Sequence, residues 1–226
     1  SRRVNNQAQT VSAFDLVTGK TAFAVELVGD LRPVVIGHDG VGLLEPTGRF
    51  RIVDVADGTI RVDAKIGISP KQSLQSFTVL EVFGQYLLLV NQPSNTRVRG
   101  TSTRALTVHG LAWAFGRTDG TGGAPVARPN WGPVRIEHQA IELDQPRHLP
   151  LLAFASRVYR PVQNALQQRP RTEYGVLVLD VRNGKIVHTE NSALPVSAMR
   201  AVSSRVSQRV TFEFYRSTIA VDFSDP

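Results

Sequence analysis

The chain has 226 residues, 42% of them apolar, 20% charged and none cysteine, with a formal charge of +7. Such a composition builds a folded core and excludes a disordered chain, and the missing cysteines exclude disulfides, thiolate zinc sites and cysteine nucleophiles. The longest apolar runs, such as Tyr86–Val90 and Leu149–Ala155, are strand-sized and fall well short of the roughly 20 residues of a membrane-crossing helix.

The start, Ser1-Arg2-Arg3, has no initiator Met and runs into a polar stretch without an apolar h-region. The expectation is a piece of something longer or a processed form. Period-2 alternation with β-branched residues then dominates. It predicts strands over Ser12–Asp15, Thr21–Leu27, Pro33–Gly37, Gly42–Glu45, Phe50–Val55 and Thr59–Lys65. It continues with Phe77–Val82, Tyr86–Val90, Ala105–Val108, Leu111–Phe115 and Val134–His138. The last set is Leu151–Ala155, Gly175–Val181, Lys185–Thr189, Val210–Tyr215 and Thr218–Phe223.

Short helices are expected at Arg160–Gln168, which Pro170 stops, and at Val196–Val202. Segments 93–104 and 116–133, rich in Pro, Gly, Ser, Thr and Arg, read as exposed loops, and His38-Asp39-Gly40 and His109-Gly110 as turns. No boundary divides the chain, so residues 1–226 are expected to form a single domain.

A repeat decides the fold class. Ala13-Phe14-Asp15-Leu16-Val17-Thr18-Gly19-Lys20-Thr21-Ala22-Phe23 is its clearest copy. Val53-Asp54-Val55-Ala56-Asp57-Gly58-Thr59-Ile60 and Leu179-Asp180-Val181-Arg182-Asn183-Gly184-Lys185-Ile186 repeat it. Each is a strand, an Asp that can cap backbone N–H groups, a Gly suited to positive φ, and a second strand: a tight hairpin corner. Asp15, Gly19, Asp54, Gly58, Asp180 and Gly184 are thus turn residues. A weaker copy, Trp113 to Thr121, places the turn glycines 19, 58, 120 and 184 at spacings of 39, 62 and 64 residues.

These copies resemble the PQQ-type β-propeller repeat of the quinoprotein-alcohol-dehydrogenase-like group, approximately Ala-x-Asp-x-x-Thr-Gly-Lys-x-x-Trp. Ala13 to Phe23 matches every marked position but the last, where Phe23 stands for Trp; Val62 and His188 hold that place in the other copies. In that group the Trp ties neighbouring blades together. The resemblance implies an all-β fold of antiparallel four-stranded blades. At roughly 40 to 45 residues per blade, about four blades fit, a partial propeller. A β-sandwich fits the same strand pattern. A partial propeller leaves apolar faces and edges for the remaining blades or a protein partner.

The resemblance also raises a PQQ-dependent dehydrogenase, which implies a calcium-held quinone, a catalytic Asp, a Trp floor and often a cysteine pair. This chain has no Cys, Trp113 and Trp131 sit in no quinone motif, and the repeat aspartates are accounted for by turns. No catalytic residue and no cofactor is expected. Glu137, His138, Glu142, Asp144 and His148 are metal-ligand types within twelve residues, but no pair has a site-fixing spacing and a solvated strand and loop is expected. No nucleophile elbow or phosphate-binding loop is present.

Charge is concentrated. Residues 97–171 hold eleven Arg, no Lys and four acids, so this window carries the whole +7 excess. Arg117, Arg128, Arg135, Arg147, Arg157 and Arg160 are the candidate anion-binding residues, with nucleic acid, acidic polysaccharide or anionic lipid as fitting polymers. Four Lys in the whole chain make coding bias the competing reading. The expected role is a non-catalytic scaffold or interaction module, one segment of a larger bacterial repeat protein. The periplasm or cell surface is expected from the company this repeat keeps. A quinoprotein fragment and a polyanion-binding module are the alternatives.

Overall fold

The computed structural model describes residues 8–28, 33–68, 73–100, 105–117, 124–143, 145, 147–160, 171–192, 200–204, 209–213 and 218–222. The described chain is all-β, every strand pair in its sheets is antiparallel, and it divides into two compact units. The first comprises residues 1–93 and 110–135, the second residues 94–109 and 136–226.

The first unit opens with the hairpin β1 (Ala8–Phe14) and β2 (Thr21–Val28). A four-stranded meander follows, β3 (Val34–Ile36), β4 (Gly40–Leu44), β5 (Arg49–Asp54) and β6 (Ile60–Lys65), paired in chain order. The hairpin β7 (Ser76–Val82) and β8 (Gln85–Asn91) comes next. Against β8 lies residues 110–116 of β10 (Ala105–Gly116).

Strand alternation puts successive side chains of the meander on opposite faces, and both faces are covered. Ile36, Leu44, Phe50, Ile52, Val62 and Ala64 join Phe77, Val79, Tyr86, Leu88, Val90, Trp113 and Phe115 in one core. The Phe50 and Phe115 rings meet there with centroids 5.1 Å apart. Burying each such large side chain contributes about 1.5–3 kcal/mol. On the other face, Leu43 and Val53 pack with Val11, Phe23, Val25 and Val41, which seats the β1–β2 hairpin. A meander packed on both faces by further antiparallel sheets is the packing of a blade between its neighbours.

The second unit contains β9 (Arg97–Gly100), the beginning of β10, the later part of β11 (Trp131–Glu142), β12 (Leu151–Arg160), β13 (Arg171–Asp180) and β14 (Lys185–Ser192). A three-stranded meander, β15 (Arg200–Ser204), β16 (Arg209–Glu213) and β17 (Thr218–Asp222), completes it. β12 and β13 pair over ten residues and β13 turns into β14. The other edge of β12 has two partners: Ile141 of β11 opposes Phe154, and from Ser156 to Tyr159 the partner is β9.

Several sequence expectations are corrected. His109-Gly110 is no turn: β10 runs through it unbroken. Residues 97–100 of the expected loop 93–104 form β9. In segment 116–133, Val126 bridges Val62 in parallel fashion, and Trp131 already begins β11. Blades of four strands describe β3–β6, whereas β12 with its three partners and the long strands β10 to β13 depart from that unit. Most of the helix expected at Arg160–Gln168, and Gly120 of the weaker repeat copy, lie outside the described residues. Of the helix expected at Val196–Val202, the last three residues belong to β15.

Candidate anion-binding site

The repeat corners share one hydrogen-bond scheme. The N–H groups of Gly19, Gly58 and Gly184 donate to the carbonyls of Asp15, Asp54 and Asp180 at 2.8, 3.0 and 2.8 Å. The same aspartates accept through Oδ1 from the N–H groups of Val17, Ala56 and Arg182 at 2.8, 2.8 and 3.0 Å. Each glycine sits at positive φ, +66°, +76° and +73°, where a side chain is unfavourable. At Asp15 the Thr18 hydroxyl, then the Val17 and Thr18 N–H groups, hold the carboxyl below its usual range. At Asp180 burial pushes the carboxyl up, but the Arg182 guanidinium and N–H donors outweigh it and the net direction is down. These carboxylates are committed to their own corners.

Other charges in the first unit are likewise spent on structure. Arg61, buried on β6, donates to Asp39 at 2.7 Å and to the Tyr86 hydroxyl at 3.2 Å, and also pairs with Asp54. That ties the β5–β6 corner to the β3–β4 turn and to β8. The bond to Asp39 leads the causes that raise the Arg61 pKa, and it holds Asp39 low in turn. Buried Arg51 donates to Glu45 at 2.7 Å and to the Glu26 carbonyl at 2.9 Å, joining β5 to β2.

The residues flagged as metal-ligand types do not converge. Glu137 and His148 are exposed, the Glu142 side chain and Asp144 lie outside the described residues, and His138 stacks on His109 at 4.3 Å with Ser94 Oγ 3.3 Å away. Among the described residues no three His, Asp or Glu side chains are placed to hold a metal.

What does converge is on the β9–β12–β13 face of the second unit. Register places Arg97 opposite Tyr159, and Tyr159 opposite Thr172. Two residues along, Arg99 is opposite Arg157, and Arg157 opposite Tyr174. Side chains two apart on a strand share a face, so these six form a grid of two rows and three columns. They line one cleft of about 330 Å³. The Arg157 guanidinium lies over the Tyr174 ring, 5.9 Å from its centroid, near the outer limit of a cation–π contact. All three arginines are exposed, and Tyr159 is 42% exposed. Among the described residues none of the three arginines pairs with a carboxylate. Directly opposed like charges such as Arg99 and Arg157 destabilise a sheet, and a bound anion would relieve that repulsion.

Of the six candidate arginines, only Arg157 belongs to this cleft. Arg117, Arg128 and Arg135 are exposed residues of the first unit, and Arg147 is exposed elsewhere in the second. Arg160 ends β12, and its side chain is outside the described set. Arg97 and Arg99 belong to the arginine-rich window 97–171 without being among those six, and Thr172 and Tyr174 lie beyond that window. The alternation Arg97-Val98-Arg99 is the signal that points to two cations on one strand face.

No family model matches the chain, and no curated protein does. Among solved structures, it is similar to BamB from Moraxella catarrhalis at a TM-score of 0.31 and 10% identity, covering 93% of this chain and 87% of that one. It is also similar to the dihydro-heme d1 dehydrogenase NirN, solved in complex with DHE, at a TM-score of 0.34 and 13% identity. There the coverage is 94% of this chain and 49% of that one.

Proposed function

We propose that this chain is a non-catalytic interaction module, a segment of a propeller-type repeat protein, which engages an anionic partner through the arginine–tyrosine face of β9, β12 and β13. The observation that carries the reading is the cleft holding Arg97, Arg99 and Arg157 with no carboxylate paired to them among the described residues. Three guanidinium forks and two tyrosine rings on adjacent strands supply bidentate hydrogen bonding together with stacking. The paired strands fix where these side chains leave the backbone, so a ligand meets them already on one face.

The test is salt-reversible retention of the full chain on immobilised heparin. Retention is expected to collapse in Arg97→Glu/Arg99→Glu/Arg157→Glu. It should largely survive in Arg117→Glu/Arg128→Glu/Arg135→Glu, which makes the same change in net charge. Equal loss in both triple variants would mean that bulk charge, not this face, governs binding. Failure of the unaltered chain to bind heparin or any other anionic polymer would remove the reading.

A further inference from the structure

We infer that the cleft of β9, β12 and β13 takes a nucleotide unit, a phosphate carried beside a planar base, and that single-stranded nucleic acid is the polymer that supplies it. The inference rests on the anion-binding reading above and goes further by using the tyrosines.

The grid is ordered from charge to ring. Its β9 column is Arg97 and Arg99, its middle column Tyr159 and Arg157, and its β13 column Thr172 and Tyr174. Strands lie about 4.8 Å apart, so each row places cation and ring within roughly one or two strand spacings of each other. Arg97 and Arg99 are two residues apart, about 7 Å along the strand, and present two cations in line. A chain with its charges along one side and flat rings along the other matches this layout. Nucleic acid is such a chain: phosphates run along its backbone and bases project from it, and positively charged grooves with stacking aromatics bind it in single-stranded form. A polyuronate differs, because its carboxylates are attached directly to its sugar rings and it has no flat aromatic face. The half-exposed Tyr159 and the partly buried Tyr174 offer ring surface at the cleft. The Thr172 hydroxyl adds a neutral hydrogen-bonding group beside those of the two tyrosines.

The experiment measures affinity of the full chain for three probes: a short oligothymidylate, thymidine monophosphate and heparin. The variants are Tyr159→Leu and Tyr174→Leu, with Tyr159→Phe and Tyr174→Phe as ring-preserving controls. The oligothymidylate is expected to bind, and each leucine variant to weaken it by roughly 5- to 100-fold. The phenylalanine variants should stay near the unaltered value, and heparin affinity should not change. Three phosphate contacts predict a log–log salt slope of about −2 for the single strand. Comparable binding of the mononucleotide, with the same tyrosine dependence, would support the site with free nucleotide as its source. Heparin binding that needs the three arginines, beside oligothymidylate binding indifferent to both tyrosines, would overturn this inference and leave the anion reading standing. Failure of every probe to bind would end both.

Discussion

Phe23 lies against the turn glycine Gly58: a Cβ placed on Gly58 would stand 2.7 Å from the Phe23 Cβ. Phe23 closes the first repeat copy and Gly58 forms the corner of the next, so the phenylalanine joins the β1–β2 hairpin to the β3–β6 meander. The contact belongs to the same apolar patch as Val53, Leu43 and Val25.

Gly58→Ala should therefore cost more than Gly19→Ala. Both sit at positive φ, +76° and +66°, but a Cβ at Gly19 meets nothing within 4 Å. The backbone penalty of about 1–2 kcal/mol applies to each, and the clash with Phe23 adds to it only at Gly58, for a loss of about 2–4 kcal/mol. Urea denaturation midpoints of the two variants check this. Adding Phe23→Ala to Gly58→Ala should give a smaller loss than the sum of the two single changes.

Removal of Arg61 should harm the first unit. It is buried, and its guanidinium serves Asp39, Asp54 and the Tyr86 hydroxyl together. Arg61→Ala leaves those groups without their cation; with Asp39 half exposed to solvent, the loss should be about 2–3 kcal/mol. Arg61→Lys should rescue only part, because an ammonium lacks the planar fork that reaches several partners. Thermal unfolding of the two variants gives the comparison.

Stability should fall in acid with a known sign. Asp63 is held below its usual range by the Arg49 side chain, and Asp39 by Arg61. Asp180 is also lowered, its donors outweighing burial. A carboxyl depressed in the folded state contributes stability that is complete above its unfolded pKa, about 3.9. That contribution is lost as the pH falls through the lower folded pKa. Denaturant midpoints measured downward from pH 6 should hold steady and then drop below about pH 4. In Asp63→Asn the drop should be shallower, from a lower starting value.

The all-β class and most strand positions were readable because alternation and turn chemistry are local. At the repeat corners, the aspartate, its N–H donors and the glycine fit within five residues, so one short window holds the whole device. Gly110 shows the opposite case. Beside His109 it reads as a turn, yet it lies within β10, where an added Cβ would fall almost on the Val90 carbonyl oxygen. The glycine answers a close approach to a strand some twenty residues away, which no local window contains. The arginine cleft was hidden for the same reason. Arg99 meets Arg157 only because β9 takes over the edge of β12 from β11. Composition revealed the excess of arginine but not which of them would share a face.

Arg99→Gln separates function from stability. It removes one of two directly opposed cations, and relief of like-charge repulsion is worth a few tenths of a kcal/mol. The variant should be at least as stable as the unaltered chain while eluting from heparin at lower salt. A substitution that raises or preserves the denaturation midpoint and weakens retention marks Arg99 as kept for binding.

The most direct test of the anion-binding face is amide hydrogen exchange of the full chain with and without a saturating anionic polymer. Protection is predicted to centre on residues 97–100 of β9, 157–160 of β12 and 171–174 of β13. Protection confined to the surroundings of Arg117, Arg128, Arg135 or Arg147, with those three strand segments unchanged while the polymer is bound, would contradict the account.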